Sequence, residues 1–162
     1  MELVNAEERE HFLRKALLEV RNDFDYIFID NPPSLGMLTI NGLVASDSVL
    51  IPVQAEYFAL EGLSQLLNTV NLVRDNIKPN LDVMGAIITM YDGRTRLSKE
   101  VLEELYRYFP DKIFRSVIPR SIRLAEAPSF GKTILGYDPS SKAAKAYERL
   151  AREFILREEG RI

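Results

Sequence analysis

Two rhythms of apolar and polar positions alternate along this chain. One is the unbroken apolar run: Tyr26-Ile27-Phe28-Ile29, Val49-Leu50-Ile51 and Ala86-Ile87-Ile88 contain no polar interruption, as suits strands covered on both faces. The other is the helical stripe, with Phe12, Ala16, Leu17 and Val20 on one side of residues 6–22, and Leu60, Leu63, Leu66, Leu67, Val70 and Val73 on one side of 57–76. The pattern predicts a strand at 24–30, a short helix at 35–45, strands at 48–53 and 82–90, and the long helix at 57–76. Beyond these it predicts a helix from Ser98, as N-cap, to Tyr108, an extended segment at 112–119, and an irregular loop at 121–133 with one helical turn. A closing helix at 140–158 is expected to turn Ala143, Ala144, Tyr147, Leu150, Ala151, Phe154 and Ile155 inward. Strands alternating with helices predict an α/β fold, a parallel sheet flanked by helices, in a single domain covering residues 1–162 without linker or repeat.

The apolar run 26–29 ends at Asp30, and Asn31-Pro32-Pro33-Ser34 comes directly after it. The proline pair forbids continuation as helix or ladder. A carboxylate at the carboxyl end of a buried parallel strand stands where α/β folds place ligands, and P-loop NTPases use one there to hold the Mg²⁺ that bridges nucleotide phosphates. A strand-end aspartate that caps a turn is the plainer alternative. The chemistry also needs a phosphate cradle of the form G-x-x-x-x-G-K-[ST]. The one Gly-Lys-Thr, Gly131-Lys132-Thr133, does not qualify: Glu126 occupies the leading glycine position, Pro128 lies inside the loop, and no apolar strand runs into it. The chain therefore reads as carrying half of a nucleotide site.

The zero cysteine count excludes disulfides, cysteine-ligated zinc and thiol catalysis, so any metal must use oxygen ligands. The single histidine, His11, sits in a charged helical stretch and is expected on the solvated surface. No apolar run is long enough to cross a bilayer, and Met1–Glu8 lacks the basic and apolar regions of a signal peptide, so a cytosolic location is expected. The net charge of −3 conceals an asymmetry: residues 1–90 hold 6 Lys and Arg against 13 Asp and Glu, whereas residues 91–162 hold 15 against 11. Between 94 and 123, Arg94, Arg96, Lys99, Arg107, Lys112, Arg115, Arg120 and Arg123 face only Glu100, Glu103, Glu104 and Asp111 from the same stretch. Screening confines exposed charges to a reach of about 8–10 Å, so a local excess of this kind can hold a polyanion.

Several uncommon strings occur together and in order. They are Tyr26–Gly36, Leu38-Thr39-Ile40-Asn41, Ala45–Gln54, Glu56–Leu66, Thr89-Met90-Tyr91-Asp92 and Ile118–Ser129. In these the chain closely resembles the ParA/Soj chromosome-partitioning ATPases, of the deviant-Walker group that also includes MinD. The resemblance covers essentially the whole chain but only the later part of the family's pattern, since the deviant P-loop K-G-G-V-G-K-T and the D-x-D-P-Q motif have no counterpart. It implies a partial P-loop NTPase fold, ParA-like, missing its first strands.

Carried over position by position, the resemblance implies that Asp30 is the catalytic acid that holds Mg²⁺ through a water. Pro32, Pro33 and Ser34 would form the switch segment after it, with Asn31 where many members have cysteine. Met90, Pro119 and Arg120 would wall an adenine pocket, and Arg94 and Arg123 would bind DNA without reading sequence. Without the family context, Met90 reads equally well as a core residue at a strand end, and an exposed arginine as a merely solvated one.

In the family so resembled, two ATP-bound subunits close into a homodimer that coats nonspecific DNA, and a ParB-like protein stimulates hydrolysis to ADP and release. The implied role is segregation of chromosomes or plasmids, in the cytoplasm and on the nucleoid, with no membrane partner. Lacking the phosphate-contacting lysine and amide cradle, this chain alone is expected neither to bind ATP or ADP with Mg²⁺ tightly nor to hydrolyse ATP. It is also expected to need a partner or an oligomer to cover the sheet edges left by absent strands. Two other readings stand beside this one. A noncatalytic DNA- or partner-binding module derived from the family is one; a MinD-like membrane-cycling ATPase is the other, disfavoured because Arg157-Glu158-Glu159-Gly160-Arg161-Ile162 is no basic amphipathic tail.

Overall fold

The computed structural model describes residues 7–32, 34, 36–56 and 59–160, apart from the side chain of Tyr108. They fall into two compact units, one of Met1–Val49 with Gly62–Met84 and one of Leu50–Glu61 with Gly85–Ile162. Strands β1 (Ser48–Gln54) and β2 (Asp82–Thr89) pair with each other. The Asp82 amide donates to the Asp47 carbonyl at one end and the Ala55 amide to the Thr89 carbonyl at the other, so the strands run in the same direction. Residues 85–88 of β2 are all buried, which matches the apolar run read there as a strand with both faces covered.

The first unit contains a 3₁₀ turn at Arg9–His11, helix α1 (Phe12–Leu17), helix α2 (Met37–Ala45) and most of helix α3 (Ala59–Asn76). Leu43, Val44, Leu63, Val70, Val73, Leu81 and Val83 are its buried apolar residues. Asn41 of α2 joins three pieces of chain: its Nδ2 donates to the Arg9 carbonyl at 2.8 Å and the Met37 carbonyl at 3.0 Å, and its Oδ1 accepts from the Leu13 amide at 3.2 Å. The helix expected at 6–22 is shorter, because after Leu17 the chain closes turns with bonds such as Val20 amide to Leu17 carbonyl.

Residues 24–30 are not the buried strand that their composition suggests. The segment lies outside the sheet and has no regular secondary structure, with Phe24 62% and Phe28 72% exposed. An apolar run states a preference for burial, but only a neighbouring backbone turns that preference into a strand. Here the sheet's two strands are β1 and β2.

In the second unit, residues 112–119 extend β2's other edge through parallel bridges Ala86–Ile113 and Tyr91–Pro119. Gly85 makes this approach possible: its φ is 153°, and a Cβ there would stand 2.1 Å from the Lys112 carbonyl oxygen, which accepts from the Ala86 amide at 2.8 Å. Helix α4 (Arg96–Tyr108) starts before the expected Ser98 because Thr95 is its N-cap, with Oγ1 accepting from the Ser98 amide at 3.3 Å. Helix α5 (Ile122–Glu126) runs into a 3₁₀ turn at Ala127–Phe130, followed by α6 (Ile134–Tyr137) and α7 (Lys142–Glu158). Gly131, at φ 61°, closes that 3₁₀ turn, and Thr133 caps α6, so the Gly-Lys-Thr triplet serves two helix ends. Ile134, Ala143 and Ala144 form a buried cluster against which Leu124 packs.

The face of α7 also differs from expectation. Ala143 and Ala144 are buried as predicted, but Tyr147, Ala151 and Ile155 are exposed, and Glu153 is buried in their stead. Among the described residues no helix is long and apolar enough to cross a membrane.

Candidate functional site

In the first unit, the apolar run delivers Asp30 to an exposed position, followed by exposed Asn31 and Pro32; Pro33 lies outside the described residues. The turn after Asp30 is tied down by α2. Buried Thr39 donates from Oγ1 to the Ser34 carbonyl at 2.5 Å and more weakly to the Pro32 carbonyl at 3.5 Å. Asn31 rests on Gly42 of the same helix, where a Cβ would come within 2.1 Å of the Asn31 Oδ1. Thr39 and Gly42 thus fix the path of the chain beyond Asp30. Thr39 belongs to the Leu38-Thr39-Ile40-Asn41 string, yet nothing in a sequence distinguishes a helix threonine bonded backwards across a turn from a solvated one.

No group of three or more His, Cys, Asp or Glu that could hold a metal occurs among the described residues. Asp30 is therefore not part of an all-protein metal cage among the described residues.

In the second unit, three neighbouring chain segments end side by side. Thr89 Oγ1 donates to the Val53 carbonyl at 3.3 Å, and the Ala55 amide to the Thr89 carbonyl at 3.0 Å. On the opposite side of β2, the Tyr91 amide donates to the Ile118 carbonyl and the Arg120 amide to the Tyr91 carbonyl. Met90 sits at the centre of this edge, 43% exposed, with φ at 51°. Left-handed backbone is costly for a residue with a side chain, so the edge holds Met90 in a conformation it would not choose alone. Arg120 reaches from the third segment to the first, its Nη2 donating to Glu56 Oε1 at 2.7 Å. The structure thus brings the predicted residues Met90, Pro119 and Arg120 together at the carboxyl ends of parallel segments, with Glu56 paired to Arg120.

Arg94 projects from the next turn, and its side chain is 90% exposed. Asp92 grips it as a fork: Arg94 Nε donates to Oδ1 at 3.0 Å, Nη2 to Oδ2 at 2.8 Å, and its backbone amide to Oδ1 at 3.1 Å. These hydrogen bonds, that of the side chain first, lower the Asp92 carboxyl to about 2. Arg123 faces Glu126 at 3.2 Å and Asp138 at 3.7 Å, with its guanidinium 5.9 Å from the Tyr137 ring centre. Contact with Tyr137 and Glu126 raises its pKa. Further along the basic stretch, Arg96 pairs with Glu100, and Arg107 with Glu104. The excess of positive charge read between 94 and 123 is therefore smaller in space than in sequence. Asp92, Glu56, Glu126 and Asp138 all come from outside that window to meet its arginines.

The AAA_31 family, described as an AAA domain, matches residues 1–83. The sporulation initiation inhibitor protein Soj of Bacillus subtilis is 56% identical over 153 residues, covering 94% of this chain and 60% of Soj. The chromosome partitioning protein ParA of Myxococcus xanthus is 49% identical over 158 residues, covering 98% of this chain and 56% of ParA. Among solved structures, a cobyrinic acid a,c-diamide synthase from Mycobacterium smegmatis, with bound ATP analogue and magnesium, superimposes with a TM-score of 0.80 at 34% identity, over 98% of this chain and 57% of the synthase. The chain thus spans about 60% of the length of the curated relatives it matches. It belongs to the AAA_31 family and is a homologue of the Soj/ParA chromosome-partitioning ATPases, with the α/β architecture of ParA- and MinD-like P-loop NTPases.

Proposed function

We propose that this chain takes part in segregating chromosomes or plasmids, as the adenine-binding and DNA-binding portion of a ParA/Soj-type ATPase. The observation that carries this reading is the convergence of Met90, Pro119 and Arg120 at the carboxyl ends of three adjacent parallel segments, where α/β folds receive ligands. Main-chain groups at 118–120 and the exposed Met90 side chain would flank an adenine. Asp30 would offer its carboxylate, through a water, to the Mg²⁺ of ATP or ADP, and that ion would neutralise phosphate charge. The identity of 56% to Soj against 34% to the diamide synthase favours partitioning over amide-forming chemistry.

Arg94 and Arg123 would meet DNA phosphates, with affinity set by charge and indifferent to base order. A homodimer, a ParB-like partner and a nucleoid-associated cytoplasmic location complete the reading. Hydrolysis by this chain alone is not expected, because Gly131, Lys132 and Thr133 serve helix ends and supply no phosphate cradle. That same feature supports a second reading, a noncatalytic DNA- or partner-binding module.

Fluorescence anisotropy with mixed-sequence duplexes at rising salt, alongside a coupled ATPase assay, tests both. Affinity should fall steeply with salt, should not depend on base sequence, and should weaken in Arg94→Ala and Arg123→Ala, with no turnover. Salt-insensitive binding, or steady hydrolysis by the chain alone, would refute the proposal.

A further inference from the structure

The fork between Asp92 and Arg94 has a consequence for any polyanion that approaches. A phosphate offers the guanidinium the same two-oxygen geometry that Asp92 already provides at 3.0 and 2.8 Å. Carboxylate and phosphate therefore compete for one donor set. Arg94 lies 90% exposed while Asp92 is only 23% exposed, so the guanidinium has room to leave and the carboxylate stays. Asp92 is fixed there by its backbone: the Thr95 amide donates to the Asp92 carbonyl at 3.0 Å, as does Thr95 Oγ1, and the Arg94 amide holds Oδ1. Arg120 is also close enough for its charge to act on Asp92.

We infer that Asp92 is an intramolecular competitor of phosphate, setting the DNA affinity of this surface by occupying Arg94 when DNA is absent. The inference rests on the DNA-binding reading above and adds to it a residue that weakens binding rather than one that makes it. Its signature lies in affinity. Arg94 must break its fork with Asp92 before it can reach a phosphate, so its contribution to binding is reduced by what that fork is worth, and neutralising Asp92 should restore it. The gain in affinity at low salt should be at most about fivefold, the range of an exposed ion pair.

The test uses the full chain and one mixed-sequence duplex, titrated by anisotropy across a salt series. The proteins are the natural one, Asp92→Asn, Arg94→Ala and the double variant. Asp92→Ser, which keeps an oxygen acceptor for the Arg94 amide, replaces Asp92→Asn if that variant fails to melt cooperatively. Tighter binding by Asp92→Asn at low salt, a gain that vanishes when Arg94 is also replaced, is the expected result. Binding by Asp92→Asn but not by the natural protein would support it in its strongest form. Equal affinity of the natural protein and Asp92→Asn overturns the inference and leaves the DNA-binding reading intact. A gain that persists without Arg94 also overturns it, since general charge would then be the cause. Failure of every variant to bind overturns both.

Discussion

Glu153 Oε2 accepts a hydrogen bond from the Ser116 amide across 2.8 Å, and both residues are buried. The other oxygen, Oε1, accepts from the Arg115 amide at 2.7 Å and lies 3.3 Å from Arg157 Nη2. That same Nη2 donates to the Ile113 carbonyl at 2.6 Å, and the guanidinium lies 4.0 Å above the Phe114 ring. One carboxylate and one guanidinium of α7 thus satisfy the backbone of 113–116 where it leaves its bridge to β2. Glu153→Ala should destabilise the protein by about 2–4 kcal/mol, since it orphans the buried Ser116 amide and the part-buried Arg115 amide and strips Arg157 of its counter-charge. Glu153→Gln should cost less, because the amide keeps one acceptor oxygen. Urea denaturation of the two variants checks the order; an Ala variant as stable as the natural protein would contradict it.

Much of this arrangement is legible in the sequence, and where legibility ends has a physical reason. Runs such as Ala86-Ile87-Ile88 announce burial on both faces, and β2 delivers it. The run at 26–29 makes the same announcement, yet Tyr26, Ile27 and Phe28 stay exposed, because composition states a preference for burial and does not by itself place a segment in a sheet. The stripe on α7 fails differently: Glu153 counts as polar in any periodicity, while the two amides that draw it inward lie 37 and 38 residues away. The gathering of Met90, Pro119 and Arg120 follows from motif positions, but the carboxylates facing the arginines come from distant parts of the chain and no local charge count includes them all.

Gly85 offers a sharper test of the same edge. Any side chain there meets the Lys112 carbonyl, a backbone atom that cannot swing aside, and meets it at a φ of 153° that disfavours L residues. Gly85→Ala should therefore lose about 2–3 kcal/mol, the scale for replacing glycine where its conformation is required. The amides of Ala86 and Phe114, which exchange bonds across this junction, should lose hydrogen-exchange protection selectively. An alanine variant of unchanged stability would mean that the close approach is not maintained in solution.

Met90 separates backbone from side chain. At φ 51° a β-branched residue is worse than methionine, so Met90→Val should cost about 1–2 kcal/mol, whereas Met90→Gly should leave stability within about 1 kcal/mol as released strain offsets added chain entropy. If the side chain serves an adenine, the glycine variant should fold normally and yet bind ADP with Mg²⁺ more weakly, as measured by calorimetry. Equal loss of stability in both variants would show that packing, and not the left-handed backbone, governs this position.

The Asp92 carboxyl, lowered from its ordinary 3.8 to about 2 chiefly by the Arg94 side chain, fixes the direction of a pH experiment. A depressed carboxyl favours the folded turn at every pH above its ordinary value, and that contribution fades as pH falls through the depressed one. The Asp92–Arg94 fork should therefore stay closed at pH 4, where an unpartnered aspartate is already partly protonated, and open only as the pH approaches about 2. Carbon-13 NMR of the Asp92 carboxyl should give a midpoint near 2, and Arg94→Ala should bring it back toward 3.8. Because the guanidinium is largely exposed, added salt should shift the midpoint the same way, though less far. A midpoint near 3.8 in the natural protein would mean that the fork is not held in solution, and with it would go the competition between Asp92 and phosphate for Arg94.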